Sequence, residues 1–185
     1  MTTLQERVAA HFAESIHAKQ EAEKVLVEPT AQAAELMLQC LMNDGKILAC
    51  GNGGSAADAQ HFAAEMTGRF EKERMELAAV ALTTDTSALT AIGNDYGYEH
   101  VFDRGVRALA RPGDVYLAMS TSGRSANIVQ SVATAREMGV TTIAMTGLGG
   151  EHLRDAVDHL LVVPSVQTPR IQEIHMLWAH AWCEA

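Results

Sequence analysis

The stretch that most constrains the fold is residues 46–65, which joins a short apolar run, a glycine-rich turn and a helical pattern. Gly51, Gly53 and Gly54 fall within four positions, so the backbone there can adopt positive φ and approach a ligand closely. Ser55 is the expected N-cap of the helix, whose free N–H groups favour an anion. The stretch predicts a strand–turn–helix unit with an anion-binding turn. A turn that needs glycine for its geometry alone fits the pattern as well.

His61 and Glu65 stand four residues apart on this helix, so they share one face. An imidazole beside a carboxylate suits a divalent metal ion or an acid–base pair. Such pairs also occur on solvated helix faces without a function, and the spacing alone does not decide between these interpretations.

The remaining sequence alternates short apolar runs with amphipathic segments, which predicts a single α/β domain over residues 1–185. Strands after the first are expected at 77–82, 115–119, 141–145 and 159–163. We therefore expect a five-stranded parallel sheet in the flavodoxin-like order, with helices on both faces. In that order ligands bind between strands one and three, whose following loops are here the richest in amide and hydroxyl groups.

Residues 1–43 are predicted to form a pair of helices ahead of the α/β core and C-terminal helix of residues 44–185. Pro29 separates the two helices, and Thr30 can cap the second. An apolar stripe recurs every four residues along the first helix: Leu4, Val8, Phe12 and Ile16. The stripe is expected either in an oligomer interface or against the protein's own sheet, and the sequence leaves both open.

A second loop rich in hydroxyl groups, residues 120–125, follows the third predicted strand. Its hydroxyl-bearing side chains are Ser120, Thr121, Ser122 and Ser125. Hydroxyls and helix-start N–H groups match the acceptor oxygens of a phosphate, although a serine-rich helix cap is the alternative. The loop lacks the lysine and spacing of a Walker P-loop, and the chain lacks a dinucleotide fingerprint, so nucleotide hydrolysis is not expected.

The formal net charge of −9 argues against general binding to nucleic acid or to an anionic membrane surface. A local nest of amides can still hold a phosphate in an acidic protein. Cys40, Cys50 and Cys183 lie in apolar segments without paired spacing, which predicts reduced thiols and a cytoplasmic protein. Charges among the first residues argue against a signal peptide, and no apolar run reaches the length of a membrane span.

The last predicted helix begins near Thr168, the expected cap, with Pro169 at its first helical position. Four polar side chains interrupt its apolar pattern: Gln172, Glu173, His175 and His180. Their spacing alone does not distinguish buried structural histidines from ligands.

Five segments, in order along the chain, carry a specific resemblance: CGNGGS at 50–55, HFAAEMTGR at 61–69, GND at 93–95, STSG at 120–123 and RIQEIH at 170–175. Together they resemble the sedoheptulose 7-phosphate isomerases of the sugar-isomerase (SIS) domain superfamily. The resemblance implies interconversion of D-sedoheptulose 7-phosphate with D-glycero-D-manno-heptose 7-phosphate, the first step toward the heptose of bacterial lipopolysaccharide. It also implies a cytoplasmic homotetramer with sites at subunit boundaries and one zinc ion per site.

The same resemblance implies the site residues. The zinc ligands are His61, Glu65, Gln172 and His180. The substrate site is lined by Asn52, Gly53, Gly54, Asn94, Asp95, Ser120, Thr121, Ser122, Ser125 and Gln172. An aldose–ketose isomerisation needs a base and a group that stabilises the developing oxyanion. Glu65 is the candidate base and His180 the candidate acid, with zinc polarising the carbonyl.

Two positions depart from the family pattern. Arg124 stands in the serine loop where the family usually has asparagine, and it can add to phosphate binding or point outward. Pro169 stands where a family acid can occur, which removes one acid–base contributor.

Two other functions fit the same fold. One is a non-catalytic paralogue, a tetrameric adaptor that binds the replication initiator DnaA and whose members lack an acidic residue at the Glu65 position. The other is a sugar-phosphate-sensing regulatory module, which is normally attached to a DNA-binding segment. Glu65 together with His61 and His180 favours the enzyme.

Overall fold

A computed structural model describes residues 2–185 of the chain. Its strands are β1 (Ile47–Gly51), β2 (Ala79–Ala81), β3 (Val115–Met119), β4 (Thr141–Gly147) and β5 (His159–Val163). They form one parallel sheet in the order β2-β1-β3-β4-β5, which confirms the expected flavodoxin-like arrangement. Strand β2 is shorter than expected, since only its middle residues pair with β1.

Helices cover both faces of the sheet. They are α1 (Leu4–Met42), α2 (Gly54–Thr67), α3 (Thr86–Asp95), α4 (Asp103–Leu109), α5 (Ala126–Glu137) and α6 (Thr168–Glu184), with 3-10 turns at Tyr98–His100 and Leu148–Leu153. Because alternate strand residues face opposite sides, Ile47 and Ala49 enter the core beneath α1, α2 and α6. Leu48 and Cys50 enter the second core, beneath α4 and α5.

A single helix, α1, occupies the region in which the sequence predicts a pair. Pro29 lies inside this helix, so the expected break is wrong. His159 Nε2 donates a hydrogen bond to the Pro29 carbonyl at 2.7 Å, and Trp182 Nε1 donates to the Thr30 carbonyl at 3.0 Å. These contacts with β5 and α6 hold the helix in place at Pro29, although they do not replace the bond that the missing proline N–H would make to the Val25 carbonyl.

The first half of α1 leaves its apolar stripe uncovered. Phe12 is 69% exposed, and Leu4, Val8 and Ile16 are also exposed. The buried residues of α1 begin only at Ala22. Within the described chain the stripe therefore does not pack on the protein's own sheet, and the oligomer interface remains the open prediction.

Helix boundaries differ from the expected ones at three positions that concern the site. Helix α2 starts at Gly54 with Gly53 (φ 56°) as its N-cap, so Ser55 lies inside the first turn and is not the cap. Helix α6 is capped by Gln167, which places Thr168 inside the helix. The turn-forming residues of 93–97 predict that the third helix ends near Ile92. Helix α3 instead continues through Asp95, because Tyr96 N–H still donates to the Ile92 carbonyl, so Asn94 and Asp95 are helical.

Within residues 2–185, every helix is too short or too polar to cross a bilayer.

Candidate active site

Two loops with predicted site residues meet at the carboxyl ends of β1 and β3. Gly51 of β1 pairs with Met119 of β3, so Asn52 and Ser120 leave the sheet side by side. Helix α2 starts from the first loop and α5 from the second, and both direct N-terminal N–H groups toward this edge. Helix α6 packs against α2 and places the side chain of Gln172 against Gly54 at the start of α2.

An imidazole–carboxylate cluster lies between α2 and α6. His61 Nε2 is 3.0 Å from Oε1 of Glu65, and the ring centroids of His61 and His180 are 5.2 Å apart with the planes at 70°. The Phe70 ring stacks on His180, with the centroids 5.4 Å apart. The His61 side chain is 47% exposed and that of Glu65 is 27% exposed, so the cluster can reach a bound molecule.

Gln172 lies beside this cluster in a cleft of about 690 Å³ that Asp58 and His180 also line. The side-chain amide of Gln172 packs directly on Gly54, so a Cβ at position 54 would displace that amide. Burial raises the pKa of Asp58 to about 6, against the opposing effect of His61. Asp58 thus gives the cleft a carboxyl group that the sequence did not single out.

The cluster fits a zinc ion in its donor chemistry. Two histidines, a carboxylate and an amide oxygen are available as donors. Two imidazoles that bind one tetrahedral ion at Zn–N distances of about 2.0–2.1 Å would have ring centroids about 5 Å apart, which is close to the 5.2 Å between His61 and His180. Among the described residues, no group of three or more His, Cys, Asp or Glu side chains is arranged so that it could hold a metal ion without rearrangement. Since Glu65 is hydrogen-bonded to His61 Nε2, metal binding requires that this bond be exchanged for bonds to the ion.

The serine loop is held by its own hydrogen bonds. The N–H of Gly123, at φ 66°, donates to Ser120 Oγ at 3.1 Å, and the N–H of Arg124 donates to Ser122 Oγ at 3.2 Å. Ser125 is the N-cap of α5, yet its hydroxyl makes no capping hydrogen bond. That hydroxyl and the first N–H groups of α5 are therefore free to bind an anion.

The other predicted site residues are placed less centrally. Asn94 Nδ2 donates to Asp95 Oδ1 at 2.7 Å, and both side chains are exposed at the end of α3, so their part in a site stays a prediction. Pro169 lines the cleft beside Gln172.

Asn52 is held by a side chain that the sequence did not suggest. Its amide exchanges two hydrogen bonds with the amide of Asn127, each at 2.8 Å. Asn127 is buried in the first turn of α5, and Tyr98 Oη lies 3.4 Å from Asn52 Oδ1. A polar residue on the buried face of an amphipathic helix was the one available signal for Asn127. Nothing in the sequence pointed to Phe70, which follows α2, or to Tyr98, which lies in the 3-10 turn after α3.

Comparisons with known proteins show which family this chain resembles. Residues 10–147 match the family model of the SIS domain. The phosphoheptose isomerase of Neisseria gonorrhoeae is 73% identical over 188 aligned positions, covering 100% of this chain and 95% of that protein.

Solved structures show the same similarity. A phosphoheptose isomerase structure from Neisseria gonorrhoeae superposes with a TM-score of 0.93 at 69% identity, covering 98% of this chain and 97% of that chain. A phosphoheptose isomerase structure from Francisella tularensis superposes with a TM-score of 0.95 at 41% identity, covering 99% of this chain and 97% of that chain. The chain therefore belongs to the SIS domain family and, within it, to the phosphoheptose isomerases, which are sugar-phosphate isomerases.

Proposed function

We propose that this protein interconverts D-sedoheptulose 7-phosphate and D-glycero-D-manno-heptose 7-phosphate through an enediol, in the synthesis of heptose for lipopolysaccharide. The observation that supports the proposal is that His61, Glu65 and His180 lie together on α2 and α6, while α2 itself begins at the end of β1, beside the end of β3 from which the serine loop leaves. Aldose–ketose isomerisation needs both features: groups that move protons at the reacting carbons and a site that holds the distant phosphate.

Glu65 is the proposed base. A carboxylate has two oxygens, so Glu65 can help to hold the zinc ion through one of them and use the other to take a proton from one carbon and return it to the adjacent carbon. His180 is the proposed acid, which donates a proton to the neighbouring oxygen as negative charge develops there. The His180 ring lies between His61 and Phe70, so its orientation is restricted before the substrate arrives.

The phosphate is proposed to bind at the start of α5, through the hydroxyls of Ser120, Thr121, Ser122 and Ser125 and the adjacent N–H groups. Arg124 is exposed beside this loop and adds a positive charge within its reach. The other residues proposed to contact the sugar are Asn52, Gly53, Gly54, Asn94, Asp95 and Gln172. Binding energy from the phosphate positions the reacting carbons against Glu65.

We expect His61, Glu65, Gln172 and His180 to hold one zinc ion per chain. When bound, zinc supplies Lewis-acid polarisation of the substrate carbonyl. Elemental analysis of protein purified without chelator should find about one zinc per chain, and Gln172→Ala should lower this occupancy. Full activity in protein shown to be free of metal would contradict the assignment.

The assembly is proposed to be a cytoplasmic homotetramer. The exposed stripe of α1 continues toward an apolar cavity of about 1040 Å³ between α1 and α6, and a partner chain would cover surface that monomers rarely expose. The three cysteines are free and buried, which fits a reducing compartment. Phe12→Glu should reduce the mass measured by light scattering, whereas Glu137→Gln, at an exposed residue at the end of α5, should not. A monomeric wild type would refute the tetramer.

Turnover tests the proposed reaction. Incubation with sedoheptulose 7-phosphate should yield the aldose phosphate, detected by chromatography and mass spectrometry. Glu65→Gln should lower kcat by about a hundredfold or more without changing the mass of the assembly. Glu73→Gln, whose side chain is 90% exposed, is the matched control and should retain full activity. A folded wild type without turnover would exclude the reaction and direct attention to the DnaA adaptor.

A further inference from the structure

We propose that Asn127 is a positioning residue, which fixes the amide of Asn52 so that Asn52 offers the substrate a single N–H donor. The proposal rests on the sugar-phosphate isomerase site described above. It extends that site by a residue that does not itself touch the substrate.

The two amides form a closed pair. Asn52 Nδ2 donates to Asn127 Oδ1 and Asn127 Nδ2 donates to Asn52 Oδ1, each at 2.8 Å. Asn127 is only 3% exposed, whereas Asn52 is half-buried at the end of β1. The pair therefore joins the glycine turn after β1 to the first turn of α5, the two segments proposed to bind the sugar phosphate.

These bonds leave the side-chain amide of Asn52 with only one free hydrogen-bonding group. A primary amide has two N–H donors and an oxygen with two lone pairs. Asn52 Oδ1 accepts from Asn127 and also from Tyr98 Oη at 3.4 Å, so both lone pairs are occupied. One N–H is bonded to Asn127. The remaining group is a single N–H, which can bind only an acceptor: a carbonyl, hydroxyl or phosphate oxygen of the substrate.

A buried network fixes the two backbones that carry this pair. Tyr116 Oη on β3 donates to Ser131 Oγ on α5 at 2.7 Å, and Cys50 Sγ on β1 lies 2.7 Å from the same Tyr116 oxygen. Cys50 precedes Asn52 by two residues, and Ser131 follows Asn127 by one helical turn. Since β1, β3 and α5 cannot shift independently, the geometry of the amide pair is set before a ligand binds.

If Asn127 acts only through Asn52, removing both side chains should cost no more activity than removing Asn52 alone. We expect Asn52→Ala and Asn127→Leu each to lower kcat/KM for sedoheptulose 7-phosphate by about tenfold, the value of one net hydrogen bond. The double variant should show the loss of Asn52→Ala alone. Gln130→Ala, exposed one turn further along α5, is the control and should be unchanged.

Three outcomes would overturn the proposal: losses that multiply to about a hundredfold in the double variant, full activity in Asn127→Leu, or a change confined to the thermal unfolding midpoint. Asn127→Ala repeats the cycle in case the leucine variant does not fold. A wild type that neither turns over nor binds the sugar phosphate by calorimetry would refute the proposed function itself. A wild type with normal turnover and multiplying losses would refute only the role of Asn127.

Discussion

Replacing His175 with leucine should remove a pH-dependent part of the stability of this protein. His175 lies on α6 with no solvent exposure, and its ring stacks on Trp178 with the centroids 5.6 Å apart. Within residues 2–185, neither ring nitrogen has a hydrogen-bond partner. Burial lowers the pKa of this imidazole from 6.5 to about 4, against the weaker opposing effect of the nearby Thr146 backbone, so the folded protein holds it neutral.

The direction of the pH effect on stability follows from proton uptake. Well above pH 6.5 His175 is neutral in both the folded and the unfolded state, and the folded state has its full stability. As the pH falls from 6.5 to about 4, the unfolded chain takes up a proton that the folded chain excludes, so stability is lost. A pKa difference of about 2.5 units corresponds to about 3 kcal/mol, of which about 2 kcal/mol is lost by pH 5.

Urea unfolding at pH 7.5 and pH 5, at one fixed protein concentration, measures this loss. We expect the unfolding free energy to fall between these pH values by about 2 kcal/mol more in the wild type than in His175→Leu. At pH 7.5 the variant should be about as stable as the wild type, since leucine removes two unpaired buried nitrogens. His17→Gln, at an exposed histidine, should keep the wild-type pH dependence. The same pH dependence in His175→Leu and wild type would refute the reasoning.

Three further predictions concern the scaffold. Pro29→Ala should raise the free energy of unfolding by about 1–3 kcal/mol, because proline inside a helix costs about 3 kcal/mol and alanine restores a donor; an unchanged or lower urea midpoint would contradict this. Arg170→Met should destabilise the protein by about 3 kcal/mol, since Arg170 is buried and bonded to both α1 and its own helix. Lys19→Met, at a half-buried residue whose ammonium group pairs loosely with Glu173 at 3.7 Å, should cost less than about 1 kcal/mol in the same urea titration. Gly123→Ala should raise KM for the sugar phosphate and lower the Tm, because the residue has φ 66° and its Cβ would lie 2.5 Å from Gly150 Cα; unchanged kinetics would argue against a role of this turn in binding.

Local patterns were sufficient for the sheet and its order. The boundaries of β3 and β5 agree with the expected strands, because apolar runs between turn residues leave few other possibilities. The parallel arrangement follows from the alternation of strands with helices. The joining of the glycine turn and the serine loop at one edge follows in turn from that strand order.

Local patterns failed where tertiary contacts outweigh them. Pro29 is a strong helix breaker in sequence, yet α1 continues through it because His159 and Trp182 bond to carbonyls of the helix at that point. Asn94 and Asp95 look like turn residues but close the last turn of α3. In each case a distant or helical hydrogen bond outweighs a propensity that amounts to only a few kcal/mol.

The order of apolar runs and helical segments was enough to predict the sheet, and with it the meeting of the glycine turn and the serine loop at the carboxyl ends of β1 and β3. Which distant side chains touch emerged only from the folded chain: His61 with His180, Gln172 with Gly54, and Asn52 with Asn127. Periodicity records which face of an element is buried, whereas contacts between elements far apart in the chain depend on how helices and strands pack together.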